Sequence, residues 1–247
     1  MPDNFIDLTV TSPPYDNLRT YNGYCFDFEN VAKELFRVTK QGGVVVWVVS
    51  DATINGSETG TSFKQALYFM QCGFNLHDTM IFRKKNPIPQ IYRKRYNNEF
   101  EYMFVFSKGV VKTHNPLMVD CLHAGLELNG TTYKNYSKNE QTREKMANPV
   151  KAQKIKGNIW EYVVGTKQED QEAKGHPAMF PEQLANDHIL SWSNENDLVY
   201  DPFMGSGTTA KMAHIYNRNW IGSEISAEYV ELANKRLDPY LRQTSLF

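Results

Sequence analysis

Six consecutive apolar residues, Val44-Val45-Val46-Trp47-Val48-Val49, leave little choice of architecture. A β-strand turns alternate side chains to opposite faces, so an unbroken apolar run is stable only where both faces are covered. Helices on both sides of a mainly parallel sheet supply that cover, and the run belongs at the sheet's centre. The rest of the chain agrees, because strand-like and helix-like runs alternate from end to end. Ile6 to Thr11 reads as a buried strand. Phe28, Val31, Ala32, Leu35 and Phe36 recur at helical spacing, with Gln41-Gly42-Gly43 as the stop. A second helical stripe, Phe63, Ala66, Leu67 and Met70, is closed by Gly73 and followed by strands around Asn75 to Phe82 and Glu101 to Phe106. A helix near Pro181 to Trp192, a strand at Leu198 to Tyr200, and then helix, strand and helix complete the pattern.

A chain of 247 residues fits one α/β domain, 1–247, with a substantial core. Residues 109–157 stand apart as polar, rich in Asn, Lys and Thr, and without periodicity, which reads as an insertion. No apolar stretch is long enough to cross a bilayer and no signal pattern opens the chain, so a cytoplasmic protein is expected. Cys25, Cys72 and Cys121 are too far apart for metal-ligand spacing, and they read as small hydrophobes rather than a disulfide framework. A net charge of −1 excludes a uniformly basic coat but leaves room for a basic face.

Directly after the first strand stands Ser12-Pro13-Pro14-Tyr15. Two prolines lack amide donors and fix φ near −65°, so the backbone must leave its element there. Taken alone, this is a rigid turn capping a strand.

Near the other end, Leu198 to Tyr200 runs into Asp201-Pro202-Phe203-Met204-Gly205-Ser206-Gly207, and a helix starts at Thr208. Glycines at a strand-to-helix turn let backbone approach a ligand closely, at the sheet edge where open α/β folds bind nucleotides. No Gly-Lys-Ser/Thr follows, and Asp201 would repel a pyrophosphate, so this is not a phosphate loop. A carboxylate beside the loop suits a ligand with a positive charge. The next strand, Trp220-Ile221-Gly222-Ser223, ends in Glu224, placed to accept hydrogen bonds from ribose hydroxyls. The combination favours an adenosine with a cationic amino-acid tail.

Asp201 to Thr209 together with Ser12 to Tyr15 resembles the DNA amino-methyltransferases, which methylate the exocyclic amine of cytosine or adenine using S-adenosylmethionine. The catalytic motif comes first and the cofactor loop last, which resembles the circularly permuted beta class. His176-Pro177-Ala178-Met179-Phe180-Pro181-Glu182 is similar to the family segment at the methionine end of the cofactor. Arg37 to Gly43 before the valine run, and Asn97 to Tyr102, also match.

The resemblance implies a Rossmann-like methyltransferase fold. It has a mostly parallel twisted sheet with one antiparallel strand near Glu101 to Phe106, and helices on both faces. It implies catalysis by Ser12, Pro13, Pro14 and Tyr15. Cofactor binding falls to His176, Pro177, Ala178, Phe180, Asp201, Pro202, Phe203, Gly205, Ser206, Gly207, Thr208 and Glu224, with S-adenosylmethionine as cofactor and no metal. The Ser12 hydroxyl and Pro13 carbonyl are expected to accept the two hydrogens of the target amine, while Tyr15 stacks on the flipped base. Ser rather than Asp before Pro13 resembles cytosine-N4 enzymes more often than adenine-N6 ones.

Double-stranded DNA is the expected partner. Arg83, Lys84, Lys85, Arg93, Lys94, Arg95 and Tyr96 form a basic cluster suited to phosphate contacts. Lys134, Lys138, Arg143, Lys145, Lys151, Lys154 and Lys156 are scattered through the polar middle, which suits target recognition or plain solvation. The resemblance also implies a homodimer. A cognate restriction endonuclease is compatible with it but is not legible in the sequence.

One departure matters. In the family an acidic strand end that contacts the cofactor's adenine precedes the catalytic strand, whereas this sequence begins at Met1-Pro2-Asp3; either the sequence is shortened or another segment substitutes. That opens the alternative of a DNA-binding homologue without turnover; a further alternative is action on an RNA or protein amide by the same proline motif. His188 and His214 lie in helical stretches and read as surface residues, and Trp160 and Trp192 as core.

Overall fold

The computed structural model describes residues 1–14, 26–89, 94–125, 132–137, 140–145, 150–165 and 181–243. In chain order, β1 (Ile6–Thr11), α1 (Phe28–Val38) and β2 (Thr39–Val49) come first, followed by the short hairpin strands β3 (Thr53–Ile54) and β4 (Ser57–Glu58). Next are α2 (Thr61–Gln71), β5 (Asn75–Lys84), β6 (Phe100–Ser107), β7 (Met118–Asp120), β8 (Thr132–Ser137), β9 (Glu140–Lys145) and β10 (Gln153–Ile155). The chain closes with β11 (Ile159–Tyr162), α3 (Glu182–Trp192), β12 (Leu198–Asp201), α4 (Thr208–Ile215), β13 (Asn219–Gly222) and α5 (Ala227–Gln243).

Two compact units result, one from Met1–Asn115 with Asn158–Phe247 and the other from Pro116–Gly157. The first holds a seven-stranded sheet in the order β11-β5-β6-β2-β1-β12-β13. Strand β1 is parallel to β2 and β12, β12 to β13, and β11 to β5, while β6 runs antiparallel to both of its neighbours. Six strands therefore share one direction and β6 opposes them, as expected for the Glu101 to Phe106 segment. The valine run occupies the middle strand, and Val44 through Val49 are at most 1% exposed. Each such valine adds about 1.5 kcal/mol or more by leaving water.

Alternation along β2 feeds two cores. On one face Val45, Trp47 and Val49 meet α1 and α2, where Trp47 lies 5.0 Å from Phe69 and Phe69 stacks on Phe106 at 4.5 Å. On the other face α3 packs on β1 and beside α4. Because α3 is covered by both sheet and helix, its polar residues Asn186, Asp187, His188 and Ser191 are buried too. His188 is accordingly not a surface residue: it is 0% exposed, with Nε2 3.2 Å from Sδ of Met103 and its ring 4.7 Å from Trp160. His214 is half-buried, with Nε2 3.2 Å from the Tyr240 carbonyl. Trp160 and Trp192 are core residues at 5% and 6% exposure.

The glycine pair does not stop α1. The helix ends at Val38, where the Thr39 hydroxyl bonds the Leu35 carbonyl at 2.6 Å and Lys108 Nζ bonds the Phe36 carbonyl at 2.7 Å. With the last carbonyls satisfied, the chain enters β2 at once. Gly42 lies inside that strand at φ +81°, where a Cβ would sit 2.9 Å from Cβ of Lys112.

Within Pro116–Gly157, β7 pairs antiparallel with β10, and β8 with β9. The expected irregular insertion thus contains four strands, and it begins at Pro116 rather than 109. Residues 109–115 stay with the first unit, through bonds such as Lys112 N to Gly42 O at 3.0 Å and Asn115 N to Ser191 O at 2.8 Å. The strands escape sequence reading because neither β7 nor β10 buries a face: Met118 is 48% exposed and Ile155 58%.

Candidate active site

Sheet order alone locates a crevice. From β1 the chain proceeds to β2 on one side, and from β12 it proceeds to β13 on the other. Strands β1 and β12 are parallel neighbours, so their carboxyl ends form a switch point, which is where open α/β sheets bind ligands. Ser12-Pro13-Pro14 follows β1 directly, and Pro202 to Gly207 follows β12 directly. Two segments about 190 residues apart in sequence are thereby set side by side.

The loop after β12 is held at almost every turn. Phe203 N donates to Asp201 Oδ1 at 3.0 Å, Gly205 N to Glu224 Oε2 at 2.9 Å, and Gly207 N to the Met204 carbonyl at 2.8 Å. Gly205 (φ +50°) and Gly207 (φ +81°) take the left-handed conformation that a tight turn into α4 requires. Phe203 meets Phe26 edge-on at 5.2 Å, forming an aromatic wall with Trp47 behind it at 6.3 Å.

Glu224 is held from both sides by backbone donors. It is half-buried just beyond β13, and Oε1 accepts a second backbone bond from Ser226 N at 2.9 Å. Each carboxylate oxygen accepts more than one hydrogen bond, so both retain capacity for ribose hydroxyls while backbone donors fix their direction. The glycine turn and this oriented carboxylate together suit an adenosine-type cofactor.

Asp201, Ser206 and Thr208 serve differently from the sequence expectation. Asp201 is 3% exposed, and its Oδ1 accepts from Thr11 Oγ1 at 2.6 Å as well as from Phe203 N. Burial pushes its carboxyl up to about 6, opposed by the bonds from Thr11, Phe203 and Thr209. Its carboxylate is turned inward, bracing the loop against β1. The Ser206 and Thr208 hydroxyls are also buried, 3.3 and 3.0 Å from Nη1 of Arg236.

On the β1 side of the crevice, Ser12 and Pro14 are half-buried and Pro13 is buried. Thr209 Oγ1 bonds the Val10 carbonyl at 3.1 Å, adding a second tie from α4 to the end of β1. Tyr15, His176, Pro177, Ala178, Phe180 and Arg93 lie outside the described residues, as do Cys25 and Lys138.

The basic cluster divides. Arg83 and Lys84 belong to β5 and are engaged by carboxylates: Arg83 with Glu161 at 2.8 Å and Glu99 at 3.6 Å, Lys84 with Glu101 at 2.7 Å. Arg95 pairs with Glu58 at 3.3 Å and bonds the Gly56 carbonyl. Lys85 and Lys94 are exposed and Tyr96 is 100% exposed. Since β5 runs in the same direction as β1, the segment from Lys85 leaves the sheet at the crevice edge.

Sequence reading missed Thr11, Thr209, Glu182 and Arg236. Arg236 did leave a signal: it shares a buried helical stripe with Ala233 and Leu237, where a charge is out of pattern unless it has partners. Among the described residues no group of His, Cys, Asp and Glu could hold a metal ion, and no helix is long and apolar enough to cross a membrane.

A doubly wound sheet with a glycine loop and an acidic strand end on one wall of its crevice, and a Ser-Pro-Pro turn on the other, marks a Rossmann-like S-adenosylmethionine-dependent methyltransferase. Comparison with known proteins narrows this. The family model for N6/N4 methyltransferases, described as DNA methylase, matches residues 6–235, and the chain belongs to that family. It is 56% identical to the orphan methyltransferase M.BamHII of Bacillus amyloliquefaciens over 243 residues, covering 97% of this chain and 91% of that one. It is 27% identical to the type II methyltransferase M.BglII of Bacillus subtilis, covering 94% of this chain and 64% of the relative. Among solved structures, PvuII DNA methyltransferase (cytosine-N4-specific) aligns with a TM-score of 0.70 at 20% identity, covering 98% of this chain and 86% of that one. TTHA0409 of Thermus thermophilus, complexed with S-adenosyl-L-methionine, aligns at 0.63 and 22% identity, covering 98% and 90%. At such identities the likeness concerns the fold.

Proposed function

We propose that this DNA amino-methyltransferase acts on a base flipped out of duplex DNA, with the N4 amine of cytosine as its target. The observation that supports this reading is Ser12 at the head of the proline turn, on the catalytic wall of the crevice. An exocyclic amine is a poor nucleophile because its lone pair is delocalised into the ring. Acceptors for both hydrogens hold the nitrogen tetrahedral and free the lone pair, and no strong base is needed. Ser12 Oγ serves as one acceptor and the Pro13 carbonyl as the other. The prolines fix that carbonyl's direction, leaving little entropy to lose on binding.

S-adenosylmethionine, when bound, supplies the electrophilic methyl group. Glu224 holds the ribose, and the backbone of Gly205 to Gly207 cradles the cofactor. Tyr15 stacks on the flipped base, which offsets an unpairing cost of a few kcal/mol. Lys85 and Lys94 contact phosphates, and the unit Pro116–Gly157 reads the target sequence, with Lys151 and Lys154 exposed on it. A homodimer and a partner endonuclease stay with the resemblance that implied or allowed them; the relative M.BamHII is itself named an orphan methyltransferase.

Incubation with labelled cofactor and mixed-sequence DNA, followed by nucleoside mass spectrometry, tests the reading. N4-methylcytosine is expected. N6-methyladenine would reassign the base, and absence of product despite DNA binding would favour a homologue without turnover.

A further inference from the structure

Arg236 is a large charged residue at 1% exposure, and removing a guanidinium from water is costly unless every donor is satisfied. From α5 it reaches the glycine loop from behind. Nη1 donates to the Ser206 carbonyl at 3.0 Å, to Ser206 Oγ at 3.3 Å and to Thr208 Oγ1 at 3.0 Å. Nη2 bonds Oε1 of Glu182, the first residue of α3. Lys211 of α4, with a side chain only 4% exposed, places Nζ 2.8 Å from the same oxygen and 4.9 Å from the Tyr240 ring centre.

The Ser206 carbonyl and the Gly207 N–H belong to one peptide plane. Its carbonyl is held by Arg236 and its N–H by the Met204 carbonyl at 2.8 Å. With both ends bound, a rigid trans peptide cannot rotate without breaking two hydrogen bonds. Glu182 anchors the arginine, and it is the last residue of the 176–182 stretch that the resemblance assigns to the methionine end of the cofactor. One half-buried carboxylate thus joins the start of α3 to the loop's central peptide.

We infer that Glu182 and Arg236 are positioning residues for cofactor binding: the pair fixes the Ser206–Gly207 peptide and ties the loop to the start of α3. This rests on the reading that the Gly205 to Gly207 backbone cradles S-adenosylmethionine. Neither side chain is assigned a contact with the cofactor, since Arg236 lies behind the loop.

The test compares Glu182→Gln, Arg236→Lys and the loop variant Gly207→Val, with cofactor affinity measured by calorimetry and DNA KM and kcat by methyl transfer. All measurements are made below the lowest melting temperature of the set. Glu182→Gln and Arg236→Lys are each expected to weaken S-adenosylmethionine binding at least tenfold while DNA KM changes less than twofold. A merely structural role would move both together in step with lost folded protein, and that result overturns the inference. Unchanged cofactor affinity in both conservative variants, with Gly207→Val abolishing it, overturns the inference and leaves the loop reading standing. Unchanged affinity in Gly207→Val overturns both. If one conservative variant does not fold, the other carries the same comparison.

Discussion

The hydroxyl of Thr11 donates a 2.6 Å hydrogen bond to Oδ1 of Asp201, joining residues 190 positions apart. Thr11 is the last residue of β1 and immediately precedes Ser12, while Asp201 is the last of β12 and immediately precedes the glycine loop. The bond therefore braces the two walls of the crevice where the paired strands β1 and β12 end. Thr11→Val keeps the shape and deletes the donor to a buried carboxylate, a loss on the order of 1–3 kcal/mol. Urea denaturation is expected to show that destabilisation, with methyl transfer falling more than the folded fraction does.

Asp201 also predicts a pH dependence. Burial raises its folded-state carboxyl to about 6 from the ordinary 3.8, so between those values the folded protein binds more protons than the unfolded chain. Stability from this group is then greatest below pH 4, declines as pH rises toward 6, and stays level above. The full change is at most about 3 kcal/mol, taking about 1.4 kcal/mol per pH unit. Asp201→Asn removes the titration. The variant's stability relative to the parent should therefore rise across pH 4 to 6 and level off above, as read from paired denaturation curves. A constant difference across that range would count against the assignment.

Much of this fold was legible because its cues are local. β1 ended at Thr11 as read, the valine run was central, and the loop into Thr208 lay where Gly205 and Gly207 placed it. What escaped was long-range or patternless. Thr11 and Asp201 meet only because β1 and β12 are neighbours, which no window of sequence contains. Arg83 and Lys84 read as free charges because Glu161, Glu99 and Glu101 reach them only across strands. His188 looked exposed because its helix is buried on several sides, which a polar composition conceals.

That division of the basic residues bears on DNA affinity. Lys85→Ala and Lys94→Ala should each weaken binding at all sequences and lower the salt slope of log K by about 0.9 for each phosphate no longer neutralised. Arg83→Ala should do less, because its guanidinium is already engaged by two carboxylates. Fluorescence anisotropy over a salt series measures both, and a larger effect from Arg83 would reverse the assignment.

Glu224→Gln leaves one backbone donor, Gly205 N or Ser226 N, without its carboxylate acceptor, and removes the charge proposed to face the cofactor's ribose. Cofactor affinity measured by calorimetry is expected to fall at least tenfold, the scale of about 1.4 kcal/mol or more for charged hydrogen bonds. DNA affinity should be unchanged.

The most direct measurement separates Ser12 from the fold around it. In Ser12→Ala, single-turnover methyl transfer to DNA and equilibrium binding of S-adenosylmethionine are measured on the same preparation. Transfer should fall roughly a hundredfold, the scale of losing one transition-state hydrogen bond, while cofactor affinity stays within twofold of the parent. An equal loss of both, or transfer at the parental rate, would contradict an amine held by Ser12 and the Pro13 carbonyl.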